Sequence, residues 1–373
     1  MKTFKVVPSI VLEDSCESFC KSFDIGSKDL ILTNPTYFEG YFDNYSKDAQ
    51  VFYLKNYGTG EPTDIMVEAL YKDIEGKEFD RVIAIGGGSI IDVAKILVQE
   101  KVIPLNKLFD KTVATNKIKE LIIIPTTCGT GSEVTSVSVI DMTSMGGKLG
   151  LQTDEEYADC AVLIPEVVKN IPEKFFATSS IDALIHAIES YMSPKATAFS
   201  EMYSKEAIRM IIGGYRKIVA ATNRDEKRKE IIGDFLLAST YAGIAFGNAG
   251  CAAVHAMSMP FSGAHHVPHG EANYVIFTGV FKAYNRINPE GKIRLLNKLL
   301  SELLDCEESD CYIKLEELLD DILPKMALHE YGVDKSELAV FTDIVMTKQG
   351  RLTANNYVPL GEDEVFKIYE SLY

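Results

Sequence analysis

Short apolar runs alternate with helical patterns over roughly the first 170 residues. DLILTN (29–34), RVIAIG (81–86) and ELIIIP (120–125) are apolar, rich in β-branched residues and ended by turn formers, which predicts buried β-strands. Between the first two, PTDIMVEALYKDI (62–74) has the periodicity of a helix. Because strands alternating with helices are typical of a parallel sheet covered on both faces, we predict a Rossmann-like α/β domain here.

The pattern changes after about residue 174, where apolar residues recur at spacings of three and four. Four segments show it: PEKFFATSSIDALIHAIESYM, YSKEAIRMIIGGYRKIV, KRKEIIGDFLLASTYAGIAF and EGKIRLLNKLLSELL. Pro165 and Pro172 flank the change. A chain of 373 residues is also long for one core. We therefore predict an α/β domain over 1–173, an all-helical domain over 174–373, and a cleft between them.

Composition excludes several classes of function. The formal charge of −16 disfavours nucleic acid as a partner, and no apolar stretch is long enough to span a membrane. The seven cysteines are scattered without a CxxC pair, which indicates reduced thiols rather than disulfides or a thiolate zinc site. Because the N-terminal segment also lacks the apolar core of a secretion signal, we expect a cytoplasmic protein.

A glycine turn follows the strand predicted at 81–86. Gly86, Gly87, Gly88 and Ser89 lead into a helix, an arrangement that points free backbone N–H groups and a helix dipole at a phosphate. The usual third glycine of GxGxxG would fall at Ile91, so the turn alone is equally compatible with a tight strand-to-helix connection.

A second glycine-rich loop, IIIPTTCGTGSEVT (122–135), follows the next strand. It offers the hydroxyls of Thr126, Thr127, Thr130 and Ser132. Because ligands of open α/β sheets bind beyond the carboxyl ends of the strands, two such loops suit a long ligand such as a dinucleotide. In the first helix, Asp92 is a further candidate for cofactor binding, although Asp92 and Lys95 are more typical of surface or capping positions.

The histidines are concentrated, since five of the six lie between 186 and 269. Asp182 and His186 are four residues apart, so on a helix both side chains lie on one face at a separation that a cation can bridge. The alternative is an acidic residue in a first helical turn after Ser179 and Ser180, favoured there by the helix dipole.

Two more histidines complete the candidate set. We place His255 near the end of a small-residue helix and His269 after a loop marked by Pro260, Gly263 and Pro268. One carboxylate and three imidazoles suit a divalent transition metal, either Fe²⁺ or Zn²⁺.

His265 and His266 remain as candidate catalytic residues that contact substrate or shuttle a proton. Solvated loop histidines are the alternative.

Five segments, GGGSIIDVAK, PTTCGTGSEVT, DALIHAIESY, YAGIAFGNAG and the histidine segment ending VPHGEAN, resemble motifs of the iron-containing alcohol dehydrogenases, in the family's order. The resemblance implies a nicotinamide-dependent, metal-dependent oxidoreductase with a dinucleotide-binding first domain and a metal- and substrate-binding second domain. It places the metal ligands on Asp182, His186, His255 and His269, and the phosphate loop on Gly86 to Ser89. The nicotinamide and ribose contacts fall on Thr126, Thr127 and Thr130, and a cofactor-contacting lysine falls on Lys148.

Other segments, YGTGEPTD, the cysteine of PTTCGTGSE, GAHHVPHGEANY and QGRLTANNYVPL, resemble members that interconvert 4-hydroxybutyrate and succinate semialdehyde. Three positions depart from the family pattern. Asn34 replaces an acidic residue frequent in NAD-preferring members, so NADP stays possible beside NAD. Met259 replaces a second histidine, which removes a proton relay, and Ser180 replaces a glycine, which we expect to change only a helix cap.

Three alternatives remain. They are a dehydrogenase of the same family for other alcohols, diols or glycerol, a non-redox lyase that pairs NAD with a metal on the same scaffold, as dehydroquinate synthase does, and a metal-stabilised binding protein. We expect a small hydroxy acid or aldehyde as substrate and a homo-oligomer, most simply a homodimer. For the substrate carboxylate, the candidate donors are His265, His266 and Arg351.

Overall fold

The computed structural model describes residues 2–373, which form two compact units. One unit is Val6–Ile171, and the other is Pro172–Tyr373 together with residues 2–5. The predicted fold class, an α/β part followed by an all-helical part, is confirmed.

The first unit is built on a six-stranded parallel sheet in the order β1-β8-β5-β4-β2-β3, beside a two-stranded antiparallel hairpin of β6 and β7. Its strands are β1 (Ser9–Leu12), β2 (Asp29–Thr33), β3 (Gln50–Tyr53), β4 (Arg81–Gly86), β5 (Glu120–Pro125), β6 (Val137–Met142), β7 (Gly147–Gln152) and β8 (Cys160–Leu163). Its helices are α1 (Cys16–Ser22), α2 (Pro35–Phe38), α3 (Asp64–Ile74), α4 (Gly88–Leu97), α5 (Asn106–Phe109) and α6 (Pro165–Val168).

The central strands are buried on both faces, as parallel sheets require. Ala84 and Ile123 pair in register between β4 and β5, and both are fully buried. The predicted helix over 62–74 begins at Asp64 because the hydroxyl of Thr63 accepts the backbone N–H of Met66 and caps the helix.

The connections that follow the neighbouring strands β2 and β4 run in opposite directions along the sheet. From β2 the chain runs to β3 on one side, whereas from β4 it runs to β5 on the other. Loops after such neighbouring strands open a crevice at the carboxyl edge of a sheet. Asn34 and the glycine turn therefore flank a typical ligand-binding crevice.

The second unit contains helices and no strand among its described residues. Its helices are α7 (Glu173–Met192), α8 (Ala198–Val219), α9 (Arg224–Ala249), α10 (Ala253–His265), α11 (His269–Ile287), α12 (Lys292–Leu304), α13 (Cys311–Ile322), α14 (Glu337–Lys348), α15 (Gly350–Thr353) and α16 (Glu362–Ser371). The rings of Phe176, Tyr215 and Phe235 join α7, α8 and α9 in the core. Within residues 2–373, no single helix is both long and apolar enough to cross a bilayer; α9 and α10 pass that test only as a pair bent by 102°.

Two local expectations are wrong in ways that affect the site. Asp182 does not lie in a first turn, because α7 begins at Glu173 and Asp182 lies in its interior. Ser180 is likewise no cap: its hydroxyl bonds the Phe176 carbonyl and the Tyr215 hydroxyl inside the core. The helix dipole therefore does not account for an acid at position 182.

The surroundings of the other two ligand candidates also differ from expectation. His255 lies in the first turn of α10, since the small-residue helix α9 ends at Ala249. Pro260 and Gly263 lie inside α10 rather than in a loop. The connection before His269 is therefore only three residues long, and His269 is the first residue of α11.

Candidate functional site

Four side chains from three helices of the second unit converge on one point. Asp182 and His186 come from α7, His255 from α10 and His269 from α11, and one ligand-type atom of each lies within 4.8 Å of the others. The Nε2 atoms of His186 and His255 each lie 3.9 Å from a carboxylate oxygen of Asp182. Three of the residues are buried, and His269 is exposed. The structure thus brings together all four predicted ligands.

Ring stacking fixes the plane of His186. Its imidazole stacks on Phe246, at a centroid distance of 4.3 Å and an interplanar angle of 21°, and on His255, at 4.8 Å and 22°. A ring stacked on two neighbours has restricted rotation, so its nitrogen stays directed at the cluster.

Glu189 orients His255 and was not among the predicted residues. Its buried carboxylate lies 2.6 Å from His255 Nδ1 and accepts the backbone N–H groups of Ala252 and Val254. An acceptor at Nδ1 fixes the tautomer in which Nε2 carries the lone pair. The sequence holds one signal for it, since Glu189 is three residues after His186 on the same helix.

Asn273 holds the carboxylate of Asp182 in place. Its Nδ2 donates to Asp182 Oδ1 at 2.7 Å and lies 3.1 Å from Nε2 of His269. Its Oδ1 accepts the hydroxyl of Ser258. The amide therefore connects α7, α10 and α11 at the point where their ligand candidates meet.

The electrostatics of the cluster fit a bound cation. Burial raises the pKa of Asp182, but the nearby histidines outweigh this effect and lower it, which keeps the carboxylate ionised. Among the described residues, Nε2 of buried His255 has no hydrogen-bond partner. Because an unpartnered buried nitrogen is costly unless something fills the gap, this atom and the ionised carboxylate suit Fe²⁺ or Zn²⁺.

The two candidate catalytic histidines lie apart from this group. Nε2 of His265 lies 3.1 Å from a carboxylate oxygen of Glu337, and its ring contacts Phe261 and Phe341. His266 is exposed, with the positive φ of 53° that ends α10. Neither belongs to the four-residue cluster, so their catalytic role stays a prediction.

The glycine turn has the geometry of a phosphate site. β4 ends at Gly86, Gly87 caps the helix, and α4 begins at Gly88, so the free N–H groups of a helix start point out of the turn. A Cβ on Gly86 would lie 2.4 Å from the side chain of Ile90, so glycine is required there.

The second loop adjoins the first within the same unit. A Cβ on Gly87 would lie 3.3 Å from Thr127, and one on Gly88 would lie 3.3 Å from Thr130. The Oγ1 atoms of Thr126 and Thr127 are buried without a hydrogen-bond partner among the described residues. Two unpartnered hydroxyls beside glycines without side chains suit a polar ligand that approaches the backbone closely.

The other cofactor candidates have partners within the same unit. Asn34 Oδ1 accepts the backbone N–H of Lys55, and the Thr130 hydroxyl accepts the N–H of Ser132. Lys148, at the start of β7, pairs with Glu61 at 2.5 Å. Their roles toward a cofactor stay predictions.

Asp92 and Lys95 face the hairpin instead of solvent. The Asp92 carboxylate accepts the N–H of Val139, and burial raises its pKa to about 6 against the charge of Lys95. Lys95 is fully buried and donates to the carbonyl of Val137, so the expectation of a surface lysine is wrong. Both residues join α4 to β6.

Comparison with known proteins decides the family. Residues 10–165 match the family model for iron-containing alcohol dehydrogenase, and residues 176–373 match that for the C-terminal part of the Fe-containing alcohol dehydrogenase family. This chain belongs to the iron-containing alcohol dehydrogenase family. The resemblance drawn from the motifs is therefore confirmed, and the chain is an oxidoreductase of that family.

Two curated relatives extend the match. The chain is 47% identical over its full length, and over the full length of the relative, to 4-hydroxybutyrate dehydrogenase of Clostridium kluyveri. It is 35% identical to long-chain-alcohol dehydrogenase 1 of Geobacillus thermodenitrificans, covering 80% of this chain and 76% of the relative.

Solved structures share the fold at lower identity. Sulfoacetaldehyde reductase from Bifidobacterium kashiwanohense, in complex with NAD+, matches with a TM-score of 0.85 and 22% identity, covering 100% of this chain and 98% of that one. Iron-containing alcohol dehydrogenase from Thermococcus thioreducens matches with a TM-score of 0.84 and 24% identity, covering 100% and 99%.

Proposed function

We propose that this family member interconverts 4-hydroxybutyrate and succinate semialdehyde by hydride transfer with NAD(H), using a divalent metal. The observation that carries the metal and redox assignment is the convergence of Asp182, His186, His255 and His269 within 4.8 Å. The choice of substrate rests on the 47% identity to the 4-hydroxybutyrate dehydrogenase of C. kluyveri over both full chains.

The four converging residues would hold the cation, Fe²⁺ or Zn²⁺, which when bound supplies Lewis acidity toward the alcohol or aldehyde oxygen of the substrate. Asp182 contributes the one negative charge among the ligands. Glu189 keeps the lone pair of His255 on Nε2, and stacking on Phe246 holds the plane of His186. The protein thereby presents a donor set in a fixed orientation.

The dinucleotide is proposed to bind along the two glycine loops. The N-terminus of α4 would receive the pyrophosphate, and the buried hydroxyls of Thr126 and Thr127 would donate to the nicotinamide half. Asn34 presents no carboxylate at the end of β2 to repel the 2′-phosphate of NADP. We propose NAD(H) as the cofactor, to be measured against NADP(H).

The ionised carboxylate of a hydroxy acid needs a cationic or hydrogen-bonding partner in a protein of charge −16. His265 is engaged by Glu337, which leaves His266 and Arg351, both exposed, as the candidates we favour.

We also propose a cellular compartment, from the state of the cysteines. All seven cysteines are free and six are buried, as expected in a reducing compartment such as the cytoplasm. Assembly into a homo-oligomer stays a prediction.

An anaerobic assay tests the proposal. Purified protein is loaded with Fe²⁺ or with Zn²⁺ and given succinate semialdehyde with NADH or with NADPH. We expect loss of NADH absorbance, and NADH accumulation in the reverse direction with 4-hydroxybutyrate and NAD+. A non-redox lyase would recycle its cofactor and show no net change. Faster turnover of butanol, glycerol or a diol would assign this family member a different substrate. Failure with both metals and both cofactors would overturn the proposed function.

A further inference from the structure

The connection between α9 and α10 places a buried thiol against the metal-ligand candidates. Cys251 is 8% exposed, and its thiol lies next to the imidazoles of His186 and His255. Its sulfur lies within 4.8 Å of a His255 ring nitrogen and a Glu189 carboxylate oxygen. It therefore lies beside two of the four ligand candidates and the residue that orients one of them.

Two side chains hold this connection in place. The Nδ2 of Asn355 donates to the carbonyl of Cys251 at 2.8 Å. Gly250 has a φ of 78°, and a Cβ there would lie 2.5 Å from the same Nδ2, so the backbone packs directly on the Asn355 amide. On the other side, Glu189 accepts the N–H of Ala252. A side chain on so constrained a backbone has a fixed position.

The sulfur lies beside the ligand set and not inside it. Asp182 and the three histidines form one group of atoms within 4.8 Å of one another, whereas Cys251 groups only with Glu189 and His255. Nε2 of His186 faces Asp182. The thiol is therefore not within 4.8 Å of all four ligand candidates, as a fifth ligand of the same ion would be.

We infer that Cys251 is a positioning residue of the metal site, whose sulfur packs beside the imidazoles of His186 and His255 and helps to hold them in the orientation that binds the cation. The inference deepens the proposed function and rests on its metal site. Residues that contact metal ligands without binding the metal set the orientation of those ligands. Their loss typically weakens metal binding by about 10- to 100-fold.

The test uses full-length protein loaded with Co²⁺ as the probe. Cys251→Ala and Cys251→Ser are compared with wild type and with Cys311→Ala, a control in which a fully buried cysteine of α13 in the same unit is truncated. The measurements are the rate of Co²⁺ release to excess EDTA, the near-ultraviolet and visible spectrum, and the thermal stability of the metal-free proteins.

We expect Cys251→Ala to release Co²⁺ at least about 10-fold faster than both wild type and Cys311→Ala. Cys251→Ser should be intermediate because its hydroxyl can still hydrogen-bond an imidazole. Wild-type protein should show no thiolate-to-cobalt charge-transfer band.

Two results would overturn the inference: equal release rates in Cys251→Ala and Cys311→Ala, or a charge-transfer band that disappears in Cys251→Ala, which would make the sulfur a ligand. If Cys251→Ala does not fold, wild-type release from Cys251→Ser would overturn it as well. Failure of wild type to take up Co²⁺ would contradict the proposed metal site itself, whereas Co²⁺ uptake without hydride transfer would contradict only the proposed reaction.

Discussion

The carboxylate of Glu189 lies 2.6 Å from Nδ1 of His255, on the ring edge opposite the nitrogen that faces Asp182. This contact connects the N-terminus of α10 to the proposed metal site, because the same carboxylate accepts the backbone N–H groups of Ala252 and Val254.

Replacing Glu189 should therefore weaken the metal site without touching the dinucleotide loops. In Glu189→Gln the amide presents a donor or a weaker acceptor to His255 Nδ1, so we expect metal affinity to fall by about 10- to 100-fold. Competition with a chelator measures the affinity. Glu206→Gln, an exposed change on α8, is the matched control. Unchanged metal affinity in Glu189→Gln would refute the role assigned to this carboxylate.

His269 should be essential to turnover and dispensable for dinucleotide binding. It is the one exposed member of the four-residue cluster, so truncation should remove a ligand with little effect on the core. We expect His269→Ala to lose activity while its Kd for NADH stays nearly that of wild type. His329→Ala, a change outside the cluster, is the control and should stay active. Loss of NADH binding to the same degree as loss of activity would mean that His269 is structural.

A side chain on Gly87 should obstruct the proposed pyrophosphate site. A Cβ there would approach Thr127 to 3.3 Å and occupy the space between the two loops, while the φ of −82° remains accessible to alanine. We expect Gly87→Ala to raise the Kd for NADH at least about tenfold, with metal content unchanged. Fluorescence titration measures this Kd. A tenfold change corresponds to a loss of about 1.4 kcal/mol of binding free energy. Gly213→Ala, whose added Cβ has nothing within 4 Å, is the control. Equal NADH affinity in both variants would place the dinucleotide elsewhere.

Asp64 should make the first unit sensitive to acid. Burial raises the pKa of this carboxyl, but hydrogen bonds from the hydroxyls and backbone N–H groups of Ser144 and Thr143 outweigh it and lower the pKa from 3.8 to about 2. Because the folded-state pKa lies below the unfolded one, the stabilisation is full above pH 3.8 and is lost as the pH falls through about 2.

Asp64→Asn should accordingly lower the free energy of unfolding by about 1–3 kcal/mol at neutral pH, and the difference from wild type should shrink below about pH 4. Urea unfolding at several pH values measures both effects. Asp48→Asn, on an exposed aspartate, is the control. A difference that stays constant down to the lowest pH would show that the ionised carboxylate of Asp64 is not what stabilises the hairpin.

Elements set by their own sequence were predicted at the right place, whereas features that depend on tertiary contacts were not. The strands at 81–86 and 120–125 were predicted at their observed bounds, because an apolar run ended by glycine or proline leaves little choice. The alternative that placed Asp182 in a first helical turn was wrong because Ser179 and Ser180 imitate helix caps, although their hydroxyls bond carbonyls within the helix.

The metal ligands were predicted because their residue types are few and clustered. Glu189 was missed because its partners lie on a backbone turn more than 60 residues further along the chain, and no spacing rule connects them. Lys95 was misplaced for a related reason: a lysine in an amphipathic helix looks solvated until the fold supplies the buried carbonyl of Val137.

Metal-dependent hydride transfer is tested most directly by an anaerobic titration of metal-free protein with Fe²⁺, in which metal content and NADH oxidation by succinate semialdehyde are followed together. We expect no oxidation without metal, a rate that rises in proportion to occupancy, and saturation at one ion per chain. Undiminished NADH oxidation by fully metal-free protein would contradict metal-dependent hydride transfer.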